Sequence, residues 1–396
     1  MHNIKKSSYL CSRKILIIMK EDENPFVVSG RIKPEYFCDR EQESARMMKL
    51  LCNGNNVVIR SERRMGKTGL IQYCFDQRQI ADNYYTFFVD ILHTTCLQEL
   101  VYDLGRAVYE QTVPYGKKLT QRLVQALKSV NGRFGFDAAT GLPSFNIALG
   151  DIDHPEFTLE EIFHYLQQAD RPCIVAIDEF QQIAKYPEKN VEALLRGHIQ
   201  KIDNCRFVFA GSERHLLGMM FDSASRPFYK SADNISLDAI ARDKYVAFMK
   251  EKFHERGKAI PTAIASEIYA MFEGHTYYVQ RLLNEIFSNT AVGDACDEET
   301  VQYSLRSIID GNDSFYREIL SRTTLRQKSL LYAIAADGWA SQITSAAFIK
   351  HHRLSTASSV QAAIKKLREE DLVVEAERKY RVGDRFFGLW IKQYMI

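Results

Sequence analysis

The chain has 396 residues, of which 46% are hydrophobic and 26% charged, with a formal net charge of +2. This composition is ordinary for a soluble globular protein, and the length predicts two or three domains. A membrane span is excluded because no apolar run approaches the roughly 20 residues that it needs, and the near-balanced charge requires any nucleic-acid-binding surface to be local.

The cysteines and the N-terminus both bear on the cellular compartment. The eight cysteines are scattered without a C-x-x-C pair, which indicates reduced, mostly buried thiols in a cytoplasmic protein. Residues 1–23 are interpreted as an N-terminal extension. Their apolar stretch is too short for a signal peptide, and Met19 reads better as the start.

Residues 24–238 predict an α/β core, and its first part contains the most informative stretch of the chain. Asp39 can cap a helix that continues to about Leu51, and residues 53–55 turn the chain into a strand at 57–59. A polar loop follows this apolar, β-branched strand, and an amphipathic helix is predicted over 66–79. Strand, loop and helix in this order are typical of a phosphate-binding site.

The loop itself carries the triplet Gly66-Lys67-Thr68. Backbone N–H groups at a helix start favour an anion, Lys67 would reach the β- and γ-phosphates, and the Thr68 hydroxyl would ligate Mg²⁺. The usual motif begins with glycine where this chain has Ser61, so a strained or reshaped loop is expected. The alternative is an ordinary helix start that carries the triplet by chance.

The next segments continue the alternation of strands and helices and then interrupt it. Residues 84–90 predict a buried strand and residues 95–112 a helix. Residues 113–157 predict a helix followed by a β-hairpin, inserted between core elements either to contact a partner or as a plain decoration. A helix is predicted again over 159–169.

An acidic pair follows the next predicted strand, which begins at Cys173. Four apolar residues lead directly to Asp178 and Glu179, as when a buried parallel strand brings carboxylates to its carboxyl edge. Asp178 would hold Mg²⁺ through water, and Glu179 would orient or deprotonate the attacking water. Such a pair is common by itself, but it is informative after a Gly-Lys-Thr loop.

Polar groups also end or follow the strand predicted over 206–212. Ser212 would lie at the same sheet edge and could hydrogen-bond the γ-phosphate or water. Arg214 and Arg226 could stabilise charge on the departing phosphoryl group, although surface ion pairs or a loop anchor are the alternative roles. A fifth strand near 234–237 would complete the sheet.

The rest of the chain predicts a helical subdomain and linker over 239–319 and a winged helix over 320–396. In the latter, helical segments near 324–336, after Ile343 and after Ser355 precede a two-stranded hairpin. This domain has 13 lysine and arginine residues against seven acidic ones, which favours contact with DNA phosphates. The alternative is a protein-docking or autoinhibitory module.

The ordered motifs resemble the prokaryotic, archaeal-type ATPase family of the AAA+ class, which is related to the STAND P-loop NTPases. The matching segments are Phe37-Cys38-Asp39-Arg40-Glu41-Gln42-Glu43, Arg63-Arg64-Met65-Gly66-Lys67-Thr68, Ile177-Asp178-Glu179, Ala210-Gly211-Ser212, Arg226-Pro227-Phe228-Tyr229, Gly274-His275 and Phe386-Phe387-Gly388-Leu389-Trp390. The resemblance implies a P-loop NTPase (AAA+-like) parallel-sheet core, a helical lid and a C-terminal winged helix.

The resemblance also implies ligand contacts. ATP and Mg²⁺ are the expected ligands, and the segment from Phe37 to Arg40 is expected near the adenine. The residues expected at the nucleotide are Ser61, Arg64, Met65, Gly66, Lys67, Thr68 and Gly69. Besides Ser61, a second departure is Thr276, where a STAND-like turn has proline. Either change would weaken turnover and leave binding intact.

The leading hypothesis is a Mg²⁺-dependent ATPase whose hydrolysis drives rearrangement and regulated binding to DNA. The alternative is a slow STAND-like nucleotide switch that binds a protein partner. Whether Arg214 or Arg226 acts within one subunit or across two stays open, so a nucleotide-dependent homo-oligomer is among the partners considered.

Overall fold

The computed structural model describes residues 23–115, 117–133, 135–136, 143–144 and 147–396. The chain divides into two compact units: Gly30–Ile240, and Ala241–Ile396 together with the described residues before Gly30. The N-terminal extension predicted for residues 1–23 lies outside the described residues, apart from Glu23.

The unit Gly30–Ile240 is built around a parallel sheet. Its strands are β1 (Val57–Arg60), β2 (Tyr85–Asp90), β3 (Gly135–Phe136), β4 (Pro143–Ser144), β5 (Cys173–Asp178), β6 (Cys205–Gly211) and β7 (Asp233–Ser236). Five of them form one sheet in the order β2–β5–β6–β1–β7, with every pair parallel. The predicted α/β parallel-sheet core is therefore confirmed. Strands β3 and β4 pair separately and antiparallel.

Helices cover both faces of this sheet. They are α1 (Glu41–Cys52), α2 (Lys67–Asp76), α3 (Arg78–Ala81), α4 (Leu97–Thr112), α5 (Lys117–Ala126), α6 (Pro155–Gln167), α7 (Val191–Lys201) and α8 (Arg214–Asp222). Short 3₁₀ turns lie at Pro34–Tyr36, Val113–Tyr115, Lys128–Arg133, Leu149–Asp151 and Phe180–Lys185.

Alternate strand residues supply the two hydrophobic clusters. In β1, Val57 and Ile59 pack with the buried side chains of α1, α2 and α3, whereas Val58 joins the cluster of α4, α6, α7 and α8. In β5, Ile174 faces the first cluster and Val175 the second. Because successive side chains of a strand point to opposite faces, a strand covered on both sides is apolar throughout, which explains the β-branched runs in the sequence.

Two helix boundaries differ from the sequence-based expectation. The residue that precedes α1 is Arg40, so Asp39 is not its N-cap. The helix predicted over 66–79 ends at Asp76, because Gln77 has extended backbone angles (φ −69°, ψ 136°), and α3 then begins at Arg78.

The unit containing Ala241–Ile396 is mainly helical. Its helices are α9 (Arg242–His254), α10 (Thr262–Met271), α11 (Thr276–Asn289), α12 (Glu298–Gly311), α13 (Asp313–Ser321), α14 (Leu325–Asp337), α15 (Ala346–His351), α16 (Ala357–Glu369) and α17 (Arg385–Tyr394). Strands β8 (Ala340–Ser341), β9 (Val373–Ala376) and β10 (Lys379–Val382) form an antiparallel sheet in the order β8–β10–β9. The wing thus has one strand more than predicted.

Side-chain caps explain why the winged-helix elements begin where they do. Thr324, Ser345 and Thr356 precede α14, α15 and α16, and each hydroxyl accepts a backbone N–H of the first turn. A cap of this kind typically contributes about 1 kcal/mol to helix stability. The stretch before this domain, predicted as part of a helical lid and linker over 239–319, contains α12 and most of α13.

Within the residues that the structure describes, none of the helices is both long and hydrophobic enough to span a bilayer.

Phe209 of β6 offers a test of the core, since its buried ring contacts Phe180, Phe221 and Phe228 with centroid separations of 4.5, 5.2 and 5.4 Å. We expect Phe209→Ala to lower the free energy of unfolding by about 3–5 kcal/mol, through lost burial and an unfilled cavity. Urea unfolding followed by circular dichroism measures the loss.

The matched control is Phe157→Ala on α6, where the side chain is 60% exposed. This change should alter stability by less than about 1 kcal/mol. Equal losses for the two variants would contradict the assigned core.

Candidate functional site

The loop between β1 and α2 forms the centre of the site. Ser61 is fully buried and its hydroxyl donates a hydrogen bond to the Glu62 carbonyl at 2.9 Å. Within this loop, positive φ values occur at Arg64 (64°) and Gly66 (93°) rather than at Ser61. The expected strain at Ser61 is therefore wrong, because the left-handed conformations lie further along, where one position is glycine.

Lys67 begins helix α2 and is only 5% exposed. Its ammonium group donates a hydrogen bond to the Glu62 carbonyl at 3.3 Å. Burial lowers the pKa of Lys67, while the negative charges of Glu179 and Asp178 oppose that shift. The acids 111 and 112 positions later are therefore electrostatic neighbours of this ammonium.

Asp178 connects the end of β5 to the start of α2. The Thr68 hydroxyl donates a hydrogen bond to Oδ2 of Asp178 at 2.6 Å, and the Glu179 N–H donates to Oδ1 at 3.0 Å. Burial raises the pKa of Asp178, whereas the Thr68 hydrogen bond and the Lys67 charge act in the opposite direction. A buried carboxylate beside a hydroxyl is a donor set that suits a hard cation.

Glu179 has a backbone conformation that non-glycine residues rarely adopt, with φ at 55°. Its Oε2 accepts hydrogen bonds from Gln181 Nε2 at 2.5 Å, from the Ser212 hydroxyl at 2.7 Å and from the Ser212 N–H at 3.2 Å. Unusual backbone of this kind persists where surrounding contacts hold it, and it is frequent at functional sites. The ends of β5 and β6 thus jointly fix this carboxylate.

The two candidate arginines have different surroundings. Arg214 begins α8 and donates to the Leu237 carbonyl at 3.0 Å and to Asp238 Oδ1 at 3.2 Å. Its charge contributes to lowering the pKa of Lys67. Arg226 instead forms an ion pair with Glu192, in the first turn of α7.

Of the residues expected near the adenine, Phe37 lies against helix α2, whereas Arg40 lies at the start of α1. The ring of Phe37 stacks on Tyr73, with centroids 4.2 Å apart and planes 7° from parallel. A Cβ placed at Gly69 would lie 3.9 Å from the Phe37 ring. Arg40 is buried and bonds Glu43 at 2.8 Å and the Asp238 carbonyl at 2.7 Å, so it anchors the start of α1.

Two residues at the site were missed by sequence reasoning. Tyr73 lies one helical turn after Gly69, and this spacing on an amphipathic helix was a usable signal. Gln181 is 1% exposed and bonds Glu179, but a glutamine two positions after an acidic pair carries no signal by itself. Met65, in contrast, was expected at the nucleotide and is buried within the loop.

Comparison with protein families matched residues 37–282 to a family described as an ATPase domain predominantly from Archaea. The chain belongs to this family. Residues 314–393 of this archaeal-type ATPase match a second family, described as a probable winged helix domain. The AAA+-like P-loop fold with a C-terminal winged helix is thereby confirmed.

Solved structures show the same overall fold for this archaeal-type ATPase. The Walker-type ATPase of Pyrococcus abyssi matches with a TM-score of 0.64 and 19% identity, covering 93% of this chain and 99% of that one. The Aeropyrum pernix ORC1 protein in complex with DNA matches with a TM-score of 0.52 and 14% identity, covering 94% and 97%. The comparison with curated proteins gave no match.

Gly211, the last residue of β6, provides a test of how the site is packed. A Cβ at this position would overlap Gln181 Oε1 and lie 3.3 Å from Leu217. We expect Gly211→Ala to lower the free energy of unfolding by about 1–3 kcal/mol, because the buried Gln181 must move away from Glu179. Urea unfolding measures this change.

Gly197→Ala on α7 is the control, because its Cβ would meet no described atom within 4 Å. Alanine favours a helix over glycine by up to about 1 kcal/mol, so this variant should be at least as stable as the wild type. A fully stable Gly211→Ala protein would contradict the packing described.

Proposed function

We propose that the chain binds Mg–ATP at the carboxyl edge of its parallel sheet, hydrolyses it, and couples nucleotide state to DNA binding by the winged helix. The observation that carries the proposal is the 2.6 Å hydrogen bond between Thr68 and Asp178, with Lys67 beside it. This contact joins the phosphate-binding loop to the acidic end of β5. A helix N-terminus with a buried lysine and a carboxylate has the charges that a Mg-bound triphosphate requires.

The fold family implies Mg²⁺, and the residues present fit that ion. Thr68 and Asp178 supply oxygen donors, which Mg²⁺ prefers, and both belong to ordered element ends. The bound ion would supply positive charge to the phosphate oxygens. Lys67 would neutralise further phosphate charge from within the loop.

Glu179 is the residue that we propose as the acceptor of a proton from the attacking water. Ser212 and Gln181 hold its carboxylate by three hydrogen bonds, so both act as positioning residues. A general base contributes typically 10²–10⁴-fold to the rate, provided that it is placed within hydrogen-bond reach of the water. The aromatic pair of Phe37 and Tyr73 is the proposed neighbour of the adenine.

DNA binding is proposed for the exposed face of α16. Val360, Ile364 and Leu367 are buried, whereas the side chains of Lys365 and Lys366 are 78% and 63% exposed. These lysines lie 4.0 and 2.7 Å from Glu369. Because exposed ion pairs contribute only about 0–1 kcal/mol, exchange of Glu369 for a DNA phosphate costs little. The ORC1 protein, whose fold is similar, was solved with DNA, so duplex DNA is the first ligand to test.

Ion pairs on this surface of the winged helix also favour a second candidate function, a slow nucleotide switch that binds a protein partner. Lys366 and Arg368 already have acidic neighbours in Glu369 and Glu375, at 2.7 and 2.8 Å. A surface of mixed charge suits protein docking as well as phosphate contact. If the winged helix contacts DNA phosphates, DNA affinity should fall steeply as the salt concentration rises. If it docks a protein instead, the salt response should be flat or absent.

The nucleotide site is tested by two substitutions measured in parallel. We expect Lys67→Ala to abolish ATP binding in isothermal titration calorimetry, because the loop loses its buried cation. Glu179→Gln should retain ATP binding and lower the hydrolysis rate by about 10²–10⁴-fold, because the amide cannot accept the proton.

Lys49→Ala is the control for both assays, since this lysine is exposed on α1. It should bind and hydrolyse ATP like the wild type. Normal hydrolysis by Glu179→Gln would show that the assigned base is wrong, and normal binding by Lys67→Ala would contradict the phosphate site.

The DNA proposal is tested by the salt dependence of duplex binding, measured by fluorescence anisotropy. Lys365→Ala should weaken binding to every duplex sequence and reduce the slope of log affinity against log salt concentration by about 1. Lys49→Ala should leave the slope unchanged. If the wild-type protein shows no salt-dependent DNA binding with or without ATP, the protein-docking function is favoured instead.

A further inference from the structure

Three potential metal ligands lie together where two helices of the winged-helix domain end. Asp337 is the last residue of α14, His351 is the last residue of α15, and His352 follows it directly. The helix α14 stops there because Gly338 has a φ of 76° and turns the chain. One ligand atom from each side chain falls in a group whose members all lie within 4.8 Å of one another.

One distance within this group matches the separation of two ligands on the same metal ion. Oδ1 of Asp337 lies 3.2 Å from Nε2 of His352. Two ligands of a tetrahedral zinc ion, each about 2.0–2.1 Å from the metal, lie roughly 3.3 Å apart. The exposed side chain of His351 must move by about 1.5 Å or less to complete the same arrangement.

His352 is held in place by its own helix. Its side chain is 11% exposed, its ring lies against Phe348 with centroids 4.4 Å apart, and its backbone N–H donates to the Phe348 carbonyl at 3.0 Å. Its ring nitrogen Nε2 is buried and has no hydrogen-bond partner among the described residues. Nε2 therefore meets the Asp337 carboxylate at ion-pair distance but without hydrogen-bond geometry, and both atoms are placed where they could bind the same cation.

We propose that Asp337, His351 and His352 bind one divalent transition-metal ion, for which Zn²⁺ is the appropriate probe. Two imidazoles with one carboxylate are the three protein ligands found at many zinc sites, with water in the fourth position. Imidazole nitrogen suits Zn²⁺ far better than Mg²⁺ or Ca²⁺, which prefer oxygen ligands. This site is therefore chemically distinct from the Thr68 and Asp178 pair.

The position of the site gives metal binding a structural consequence. Four residues separate His352 from the start of α16, and among them Arg353 has a φ of 52° and Thr356 caps the helix. A metal ion would connect this turn to the end of α14. Metal binding would thereby stabilise the placement of α16 within the winged helix, since binding to the folded state alone raises stability.

The experiment compares Zn²⁺ binding by full-length variants that are free of affinity tags and previously stripped of metal. Isothermal titration calorimetry and elemental analysis after dialysis both count bound zinc. We expect the wild type to bind one more equivalent than Asp337→Asn or His351→Ala. The first change keeps the shape of the side chain and the second removes an exposed side chain, so both proteins should fold.

His254→Ala is the matched control, because His254 is exposed at the end of α9 and lies outside the cluster. This variant should bind as much zinc as the wild type. Zinc should also raise the melting temperature of the wild type and the control but not of the two site variants. Equal zinc content in all four proteins would overturn the proposal, as would a stabilising effect of Mg²⁺ equal to that of Zn²⁺ in the wild type and lost in the site variants.

Discussion

The hydrogen bond between Thr68 and Asp178 depends on the order of the central strands. Strand β6 lies between β1 and β5, so three carboxyl ends meet at one edge of the sheet. Strand β1 leads into the loop before Thr68, β6 leads into Ser212, and β5 ends at Asp178, which Glu179 follows. Residues 110 positions apart in the chain are therefore in direct contact. Any shift in strand register would separate them.

The same edge keeps opposite charges close together in a buried place. Burial lowers the pKa of Lys67 and raises the pKa of Asp178, so it disfavours the charged form of each group. Each charge partly offsets this cost for the other, and a bound anion would offset it further for Lys67 and a bound cation for Asp178. Groups whose pKa values are shifted by burial and by specific neighbours in this way are frequent at functional sites.

The sequence was most informative where structure follows from local chemistry. The apolar runs of β1 and β5 predict buried strands because both faces of each strand are covered. The hydrogen bond from Gln181 to Glu179 could not be predicted, because Gln181 fits there only if Gly211, at the end of β6, has no side chain. Strand β8 could not be predicted either, because it has only two residues and is a strand only through its pairing with β10, about 40 residues later in the chain.

The two arginines can be distinguished by what each would lose on moving to a phosphate. Glu192, the partner of Arg226, is only 11% exposed. Loss of one partner of a buried ion pair costs about 3–5 kcal/mol, and less here because Arg226 is itself 36% exposed. Arg214 is 43% exposed, its partner Asp238 is 77% exposed, and it already influences the pKa of Lys67. An exposed pair of this kind contributes at most about 1 kcal/mol, and Arg214 would also give up its hydrogen bond to the Leu237 carbonyl. On this comparison we propose Arg214, rather than Arg226, for the phosphate contact within the subunit.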